Sequence, residues 1–232
     1  METPATKVGF PDVEWRRVAF HKTILDRTQR IYDRVANIYP ASTFFFHSRA
    51  HRVALDMSGI KDGMRVLEVA TGSGEMFRRL VKANRSGQTI GIDLSPRMAA
   101  RTQRTTRKKF PGSATHCQAV DARHLPFPDE SFDAVVCCFM LELLGEEDIH
   151  ATLREFKRVL RPRGSMTLVL IGQNTAGFNL AYKVATKVAP AFWGRQVEQR
   201  VPGWIMNAGL RILGDKTVRQ TFYPSRILAI KK

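Results

Sequence analysis

Short apolar runs and amphipathic segments alternate along the chain from Arg65 onward. "RVLEVA" (65–70), "QTIGID" (88–93), "SATHCQA" (113–119), "FDAVVCC" (132–138) and "SMTLVLIG" (165–172) read as strands. Between them, Glu75–Asn84, Pro96–Lys109 and Glu146–Leu160 repeat their apolar positions at helical spacing. This alternation predicts parallel βα units. The central strands are apolar at successive positions, as a sheet covered by helices on both faces requires. Ser95 before Pro96 is a natural N-cap, with proline in the first turn. "RPRG" (161–164) ends the last helix before its strand, and "KTVRQTFYPSRILAIKK" predicts a hairpin about a Pro-Ser turn that closes the sheet edge.

Two regions stand outside this rhythm. Residues 12–39 form a long helical pattern in which Ile24, Leu25, Ile31, Tyr32, Val35, Ile38 and Tyr39 share one face. Arg16, Arg27, Arg30 and Arg34 gather on a neighbouring face. The stretch from Gln173 to Asp215 is long, aromatic and basic, and suits a cap over the C-terminal ends of the strands. The pattern therefore predicts one domain over 1–232. It divides into a helical lid segment at 12–58, a core at 60–172, a cap at 173–215 and a C-terminal hairpin at 216–232.

Composition narrows the class. A 232-residue chain that is 44% hydrophobic can bury a generous core. No run approaches the ~20 apolar residues of a membrane span, and the N-terminus lacks the apolar segment of a secretory signal. Three cysteines without CxxC spacing, two of them adjacent, are neither a disulfide framework nor a zinc site, so a reducing, cytoplasmic setting and no metal are expected. The formal net charge of +16 favours an anionic partner, either nucleic acid or an anionic membrane surface. A merely solvated basic surface is the competing reading.

The chemistry centres on "VLEVATGSGEMFRRL" (66–80), a strand, a tight turn and a helix start. Gly72 and Gly74 let the backbone approach a ligand, and the following helix offers free N–H groups. In a dinucleotide fingerprint the third glycine would fall at Phe77; the bulky ring reads as helix-to-sheet core and argues against a pyrophosphate. Asp93 ends the second strand, where a carboxylate accepts both hydroxyls of a ribose. Glu68 lies inside the first strand, where a charge needs a cationic partner such as a ligand ammonium. Asp121 follows the third strand, placed to accept an adenine amine.

"VLEVATGSGE", "GIDLSPRMAA", "DARHLPFPDESFDAVVCCFMLELL" and "LREFKRVLRPRGSMTLV", in this order, resemble the motifs of class I S-adenosylmethionine-dependent methyltransferases over residues 60 to 172. The segment "IYDRVANIYPASTFFFHSRAHRVAL" is similar to the opening of the ubiquinone/menaquinone-biosynthesis C-methyltransferases and related phospholipid N-methyltransferases. The resemblance implies a Rossmann-like α/β fold with a seven-stranded, mostly parallel sheet. Its last strand is antiparallel, which agrees with the hairpin. It also implies S-adenosyl-L-methionine as cofactor. Glu68 and the turn Ala70, Thr71, Gly72 and Gly74 would hold the methionine part, and Asp93 the ribose. Leu94 and Met98 would lie against the adenine, Asp121 and Ala122 would hold its edge, and Phe139 would sit under the cofactor. Ala70 and Thr71 depart from the usual Gly-Cys, and Arg163 stands where "PGG" has a glycine.

Methyl transfer from a sulfonium is an in-line displacement, so the protein mainly supplies alignment and a dry site. A base is needed only where the acceptor must lose a proton. His47 is the candidate base, and Tyr39 and Tyr32 candidate lids over the methionine carboxylate; loop bonding and helix packing are the competing readings. Glu142 sits where an acceptor would meet it or where a helix begins, and His124 reads as surface. The leading acceptor is a lipophilic small molecule or lipid head group, a phospholipid amine or a quinone precursor. It would enter under Phe178, Tyr182, Phe192, Trp193, Trp204 and Met206 of the cap, set among Lys183, Lys187, Arg195, Arg200 and Arg211. The basic 12–39 helix would dock on an anionic inner leaflet. A soluble metabolite, RNA, and a non-enzymatic cofactor-binding scaffold are the alternatives. "CCFMLELL" lacks the Asn/Asp-Pro-Pro-aromatic loop of base-amine methyltransferases, which counts against nucleic acid.

Overall fold

The computed structural model describes residues 39–173, 196–220 and 223–232, with side chains from His47 onward. The expected face of the 12–39 segment, Tyr32, the Tyr39 side chain, and Phe178, Tyr182, Lys183, Lys187, Phe192, Trp193 and Arg195 lie outside the described residues. The described elements run α1 (Tyr39–Ser58), β1 (Arg65–Val69), α2 (Glu75–Ala83), β2 (Gln88–Asp93), α3 (Pro96–Lys109), β3 (Ala114–Ala119) and β4 (Phe132–Cys138). A 3₁₀ turn (Leu141–Leu143) follows, then α4 (Glu146–Val159), β5 (Leu160–Ile171), α5 (Val201–Asn207), β6 (Arg211–Val218) and β7 (Ser225–Lys231).

The seven strands form one sheet in the order β3-β2-β1-β4-β5-β7-β6. The first five pair in parallel, and β7 runs antiparallel between β5 and β6. The order reverses between β1 and β4, which opens the crevice above their carboxyl ends. Alternation along the strands sorts the core into two layers. Leu67, Val69, Ile90, Ile92 and Val135 meet α4 and α5 on one face. Val66, Ala134 and Val136 meet Ala50, Ala54, Met76 and Leu80 of α1 and α2 on the other. The mostly parallel sheet with an antiparallel last strand is as expected.

Local chemistry explains the boundaries. The Ser95 side chain accepts from the Met98 N–H, so it caps α3 as its position predicts. Phe77 is fully buried, and a Cβ on Gly91 would come within 2.9 Å of its ring, which fixes Phe77 as packing rather than phosphate contact. Two boundaries differ from expectation. The ladder picks up at Leu160, before "RPRG", because Leu160 pairs with Phe132 while Ser165 pairs with Ala134, leaving 161–164 as an irregularity inside β5. β6 starts at Arg211, inside the stretch expected to cap the site. Arg211 pairs with Lys231, which pairs with Ser165, so Arg211 lies at the sheet end opposite the crevice. Trp204 is likewise a correction: it is buried in the α4–α5 core beside His150, with Arg200 stacked 4.8 Å from its ring centre. It lines no entrance to the crevice. Met206, by contrast, is 61% exposed.

Candidate active site

Two adjoining clefts lie at the carboxyl ends of β1, β2 and β4. The first is lined by Ala70, Asp93, Leu94, Ser95, Met98, Asp121, Ala122 and Phe139, together with Arg123 and Cys138. The second is lined by Glu68, Ala70, Thr71, Ser73, Cys138 and Phe139, with His47 and His51 reaching in from α1. Ala70, Cys138 and Phe139 belong to both, so the clefts meet above these three residues. A larger groove of about 780 Å³ between α4 and α5 lies elsewhere; its Lys157 and Lys232 ammonium groups donate to backbone carbonyls.

The glycine turn is tightly determined. Gly72 and Gly74 have φ of 48° and 73°, and a Cβ on Gly74 would lie 2.8 Å from Thr102 Oγ1. Asp93 ties the turn down: its Oδ2 accepts from the Gly72 N–H at 2.7 Å and its Oδ1 from the Ser95 N–H at 2.9 Å.

Glu68 is 1% exposed, and its Oε2 has no hydrogen-bond partner. Burial first, and the nearby Asp93 charge second, push its carboxyl well above the usual carboxylate range. Thr71 Oγ1 in the same cleft is also buried without a partner. Two orphaned polar groups around an apolar floor await a polar ligand, since leaving them unpaired costs about 1–3 kcal/mol each. A zwitterionic amino-acid tail joined to an adenosine fits this pattern. An ammonium would meet Glu68, the ribose hydroxyls would meet Asp93, and the adenine would fill the first cleft.

Around the junction stands a wall in which Phe139 and His47 are expected from the sequence and Tyr223 is not. Phe139, at φ 54°, stacks on His47 with ring centres 4.1 Å apart. His47 Nε2 and the Tyr223 hydroxyl are 2.7 Å apart in a hydrogen bond. Burial is the largest effect on His47, the His51 ring beside it the second; together they lower its pKa to about 3. His51 Nδ1 lies 3.3 Å from Glu75 Oε2, and Arg79 pairs with Glu75 and donates to Ser48. His47 and Tyr223 are 176 residues apart, so no local spacing signals the pair.

Other expectations sort cleanly. Both Asp121 oxygens are engaged by Arg123, which also reaches Asp148 at 2.9 Å, so Asp121 enters the site as half of an ion pair. Glu142 lines neither cleft; its Oε1 accepts from the Ile171 N–H and stitches the end of β4 to the end of β5. His124 is exposed, as expected. Among the described residues no group of His, Cys, Asp and Glu is arranged to hold a metal.

The family model described as "Methyltransferase domain" matches residues 66–164. A demethylmenaquinone methyltransferase of Staphylococcus saprophyticus is 31% identical over 71% of this chain and 68% of its own length. The chain belongs to the class I S-adenosylmethionine-dependent methyltransferases. A 2-phytyl-1,4-naphtoquinone methyltransferase of Synechococcus elongatus is 34% identical over 59% of the chain and 60% of its own length. The chain spans about three fifths to two thirds of the curated relatives it matches. In fold it resembles the N-methyltransferase NodS of Bradyrhizobium japonicum, solved with S-adenosyl-L-homocysteine (TM-score 0.71, 15% identity, 88% of this chain and 98% of that one). Against the family motif, Ala70 and Arg163 stand at glycine positions, and both have positive φ, 63° and 61°.

Proposed function

We propose that this methyltransferase transfers a methyl group from S-adenosylmethionine to a lipophilic quinone precursor. The observation that carries the cofactor half is the meeting of two clefts over Ala70, Cys138 and Phe139. Glu68, with its Oε2 unpartnered, lies on one side of that junction and Asp93 on the other. The sulphur joining an adenosine to a methionine tail would lie at the junction. The names of the Staphylococcus and Synechococcus relatives, which specify naphthoquinone-type acceptors, carry the acceptor half.

The cofactor, when bound, supplies an activated methyl group. The chain's own residues bind, align and exclude water. Glu68 and Thr71 receive the amino-acid end, Asp93 the ribose, and Leu94, Met98, Asp121 and Ala122 the adenine. Phe139 floors the transfer point, and His47 and Tyr223 wall it. An imidazole held neutral down to about pH 3 is a weak proton acceptor, so His47 is a positioning residue here rather than the base. Tyr39 remains a proposed lid from the start of α1.

The test is direct. Labelled S-adenosylmethionine is incubated with the full chain and a reduced, short-tailed demethylated naphthoquinol, with phosphatidylethanolamine and bulk tRNA in parallel. Methylation of the quinol alone is the expected result. Label in phosphatidylethanolamine or tRNA alone would overturn the acceptor assignment.

A further inference from the structure

Among the described residues, one layer carries a dense run of cations with few acids. Between Met76 and Gly112 the chain carries ten Lys and Arg residues and a single acid, Asp93, which faces into the site. Six of the ten are on α3: Arg97, Arg101, Arg104, Arg107, Lys108 and Lys109, with no acid on that helix. Arg97, Arg101, Arg104 and Lys108 recur at intervals of four, three and four, so they form one stripe roughly 16 Å long. All but Arg101 of the six are exposed. Lys82 and Arg85 at the end of α2, and Arg49 and Arg52 on α1, are exposed elements of the same layer. The opposite layer is different in kind. There α4 carries Arg154, Lys157 and Arg158 against Glu146, Glu147, Asp148 and Glu155.

Arg107, Lys108 and Lys109 in the last turn suit the helix dipole, but Arg104 and Lys108 at i,i+4 repel each other along the exposed stripe. A helix with six cations and no acid, beside the basic end of α2, points to an anionic partner broad enough to meet the whole stripe. The stripe starts at Arg97, between Ser95 and Met98, which line the first cleft. The rim of the site and the charged face are therefore one continuous border.

We infer that the α2–α3 face docks the protein on an anionic lipid bilayer, bringing the cleft rim to the surface from which a lipophilic acceptor would be drawn. The choice of a bilayer over nucleic acid rests on the quinone-precursor reading above and on the make-up of the face. Single-stranded nucleic acid is held by aromatic platforms as well as charge. Among the described residues the large apolar side chains that stand exposed are Met206 and Leu213, neither of them on this face. A phospholipid leaflet requires only charge over an area, and each cation near it adds attraction that salt screens.

Co-sedimentation of the full chain with vesicles tests this without any acceptor. Vesicles of phosphatidylcholine alone are compared with vesicles containing about one third phosphatidylglycerol, at about 0.05 and 0.5 M salt. Binding is expected only with the anionic vesicles at low salt. The triple variant Arg104→Gln, Arg107→Gln, Lys108→Gln, outside both clefts, should lose affinity by on the order of 100-fold. Arg154→Gln, Arg163→Asn and Arg200→Gln together, off that face, should change it by no more than a few-fold. A thermal melt of each variant checks folding. Binding indifferent to lipid charge, or equal losses in the two triple variants, overturns the proposal. So does a triple α3 variant that loses binding to an RNA duplex while keeping its vesicle binding. Turnover of a water-soluble naphthoquinol in the absence of lipid tests the acceptor reading separately, so either idea can fail alone.

Discussion

Glu68 shows how one side chain can report on a ligand. Buried, with Oε2 unpartnered, it holds its proton above the usual range even with the Arg78 charge nearby, and a cation in direct contact would lower that pKa again. Cofactor binding should then release a proton at pH values between the lowered bound-state pKa and the raised free one, and affinity should climb with pH across that window. Titration calorimetry repeated at several pH values, each in two buffers of different ionisation enthalpy, should give apparent heats that differ between the buffers within that window. In Glu68→Gln that difference should vanish and affinity should fall about 10- to 100-fold. His47→Phe keeps the stack on Phe139 and deletes the Tyr223 bond. A wall residue predicts a modest fall in kcat with an unmoved pH profile; loss of an ionisation from the profile would make His47 the base. His47 also contributes to acid sensitivity. Its pKa is lowered, so the unfolded chain binds the extra proton, and stability is lost as pH falls from about 6.5 toward 3. At this scale Glu68, Asp93 and the glycines were legible because each is chemically odd for its place in a strand or turn. Arg123, His51 and Tyr223 were not, because their roles arise only from contacts across the fold.

Strands and helices reveal where the sequence tolerates strain. Arg163 lies in the irregular opening of β5 with φ 61°, a conformation that costs a non-glycine residue roughly 1–2 kcal/mol. Arg163→Gly should stabilise the fold by up to about 1 kcal/mol, less the entropy glycine restores to the unfolded chain, read as a small rise in Tm. The β4–β5 junction carries a second liability. Burial raises Glu142 to about 7, though the Ile171 N–H favours its ionised form. A raised carboxyl means the native state binds more protons than the unfolded one between about pH 4.5 and 7. Stability is therefore lost as pH rises through that window. Glu142→Gln keeps an acceptor for Ile171 and should remove most of the slope, with gains at pH 8 and little change at pH 5 in denaturant titrations. Periodicity located every core strand, since apolar runs between turn signals are hard to misread. It missed the start of β6, an edge strand with little to bury, whose assignment depends on pairing with β7 rather than on its own pattern.

Across the whole molecule, charge is the dominant asymmetry. A chain of net charge +16 repels itself, and much of that charge lies in one layer. Thermal stability in a non-binding salt should rise by roughly a few degrees between 0.05 and 0.3 M as screening grows. The triple α3 neutralisation should show a smaller rise. Composition announced the excess of charge but not its placement, which depends on α1, α2 and α3 sharing one side of the sheet.

The position of β7 has a kinetic consequence. It comes after β6 in the chain but lies between β5 and β6 in the sheet, so β6 has no seat until β7 has docked. The two strands are joined by a short connection and pair over seven registered positions, which favours a preformed hairpin arriving as a unit. Until it arrives, β5 is an open, apolar edge, the kind of surface that recruits another chain. The connection also carries Tyr223, the partner of His47. One late event thus seals the sheet against aggregation and completes the wall of the active site, so refolding followed by amide exchange on β5 and by cofactor capture should show a single shared slow phase.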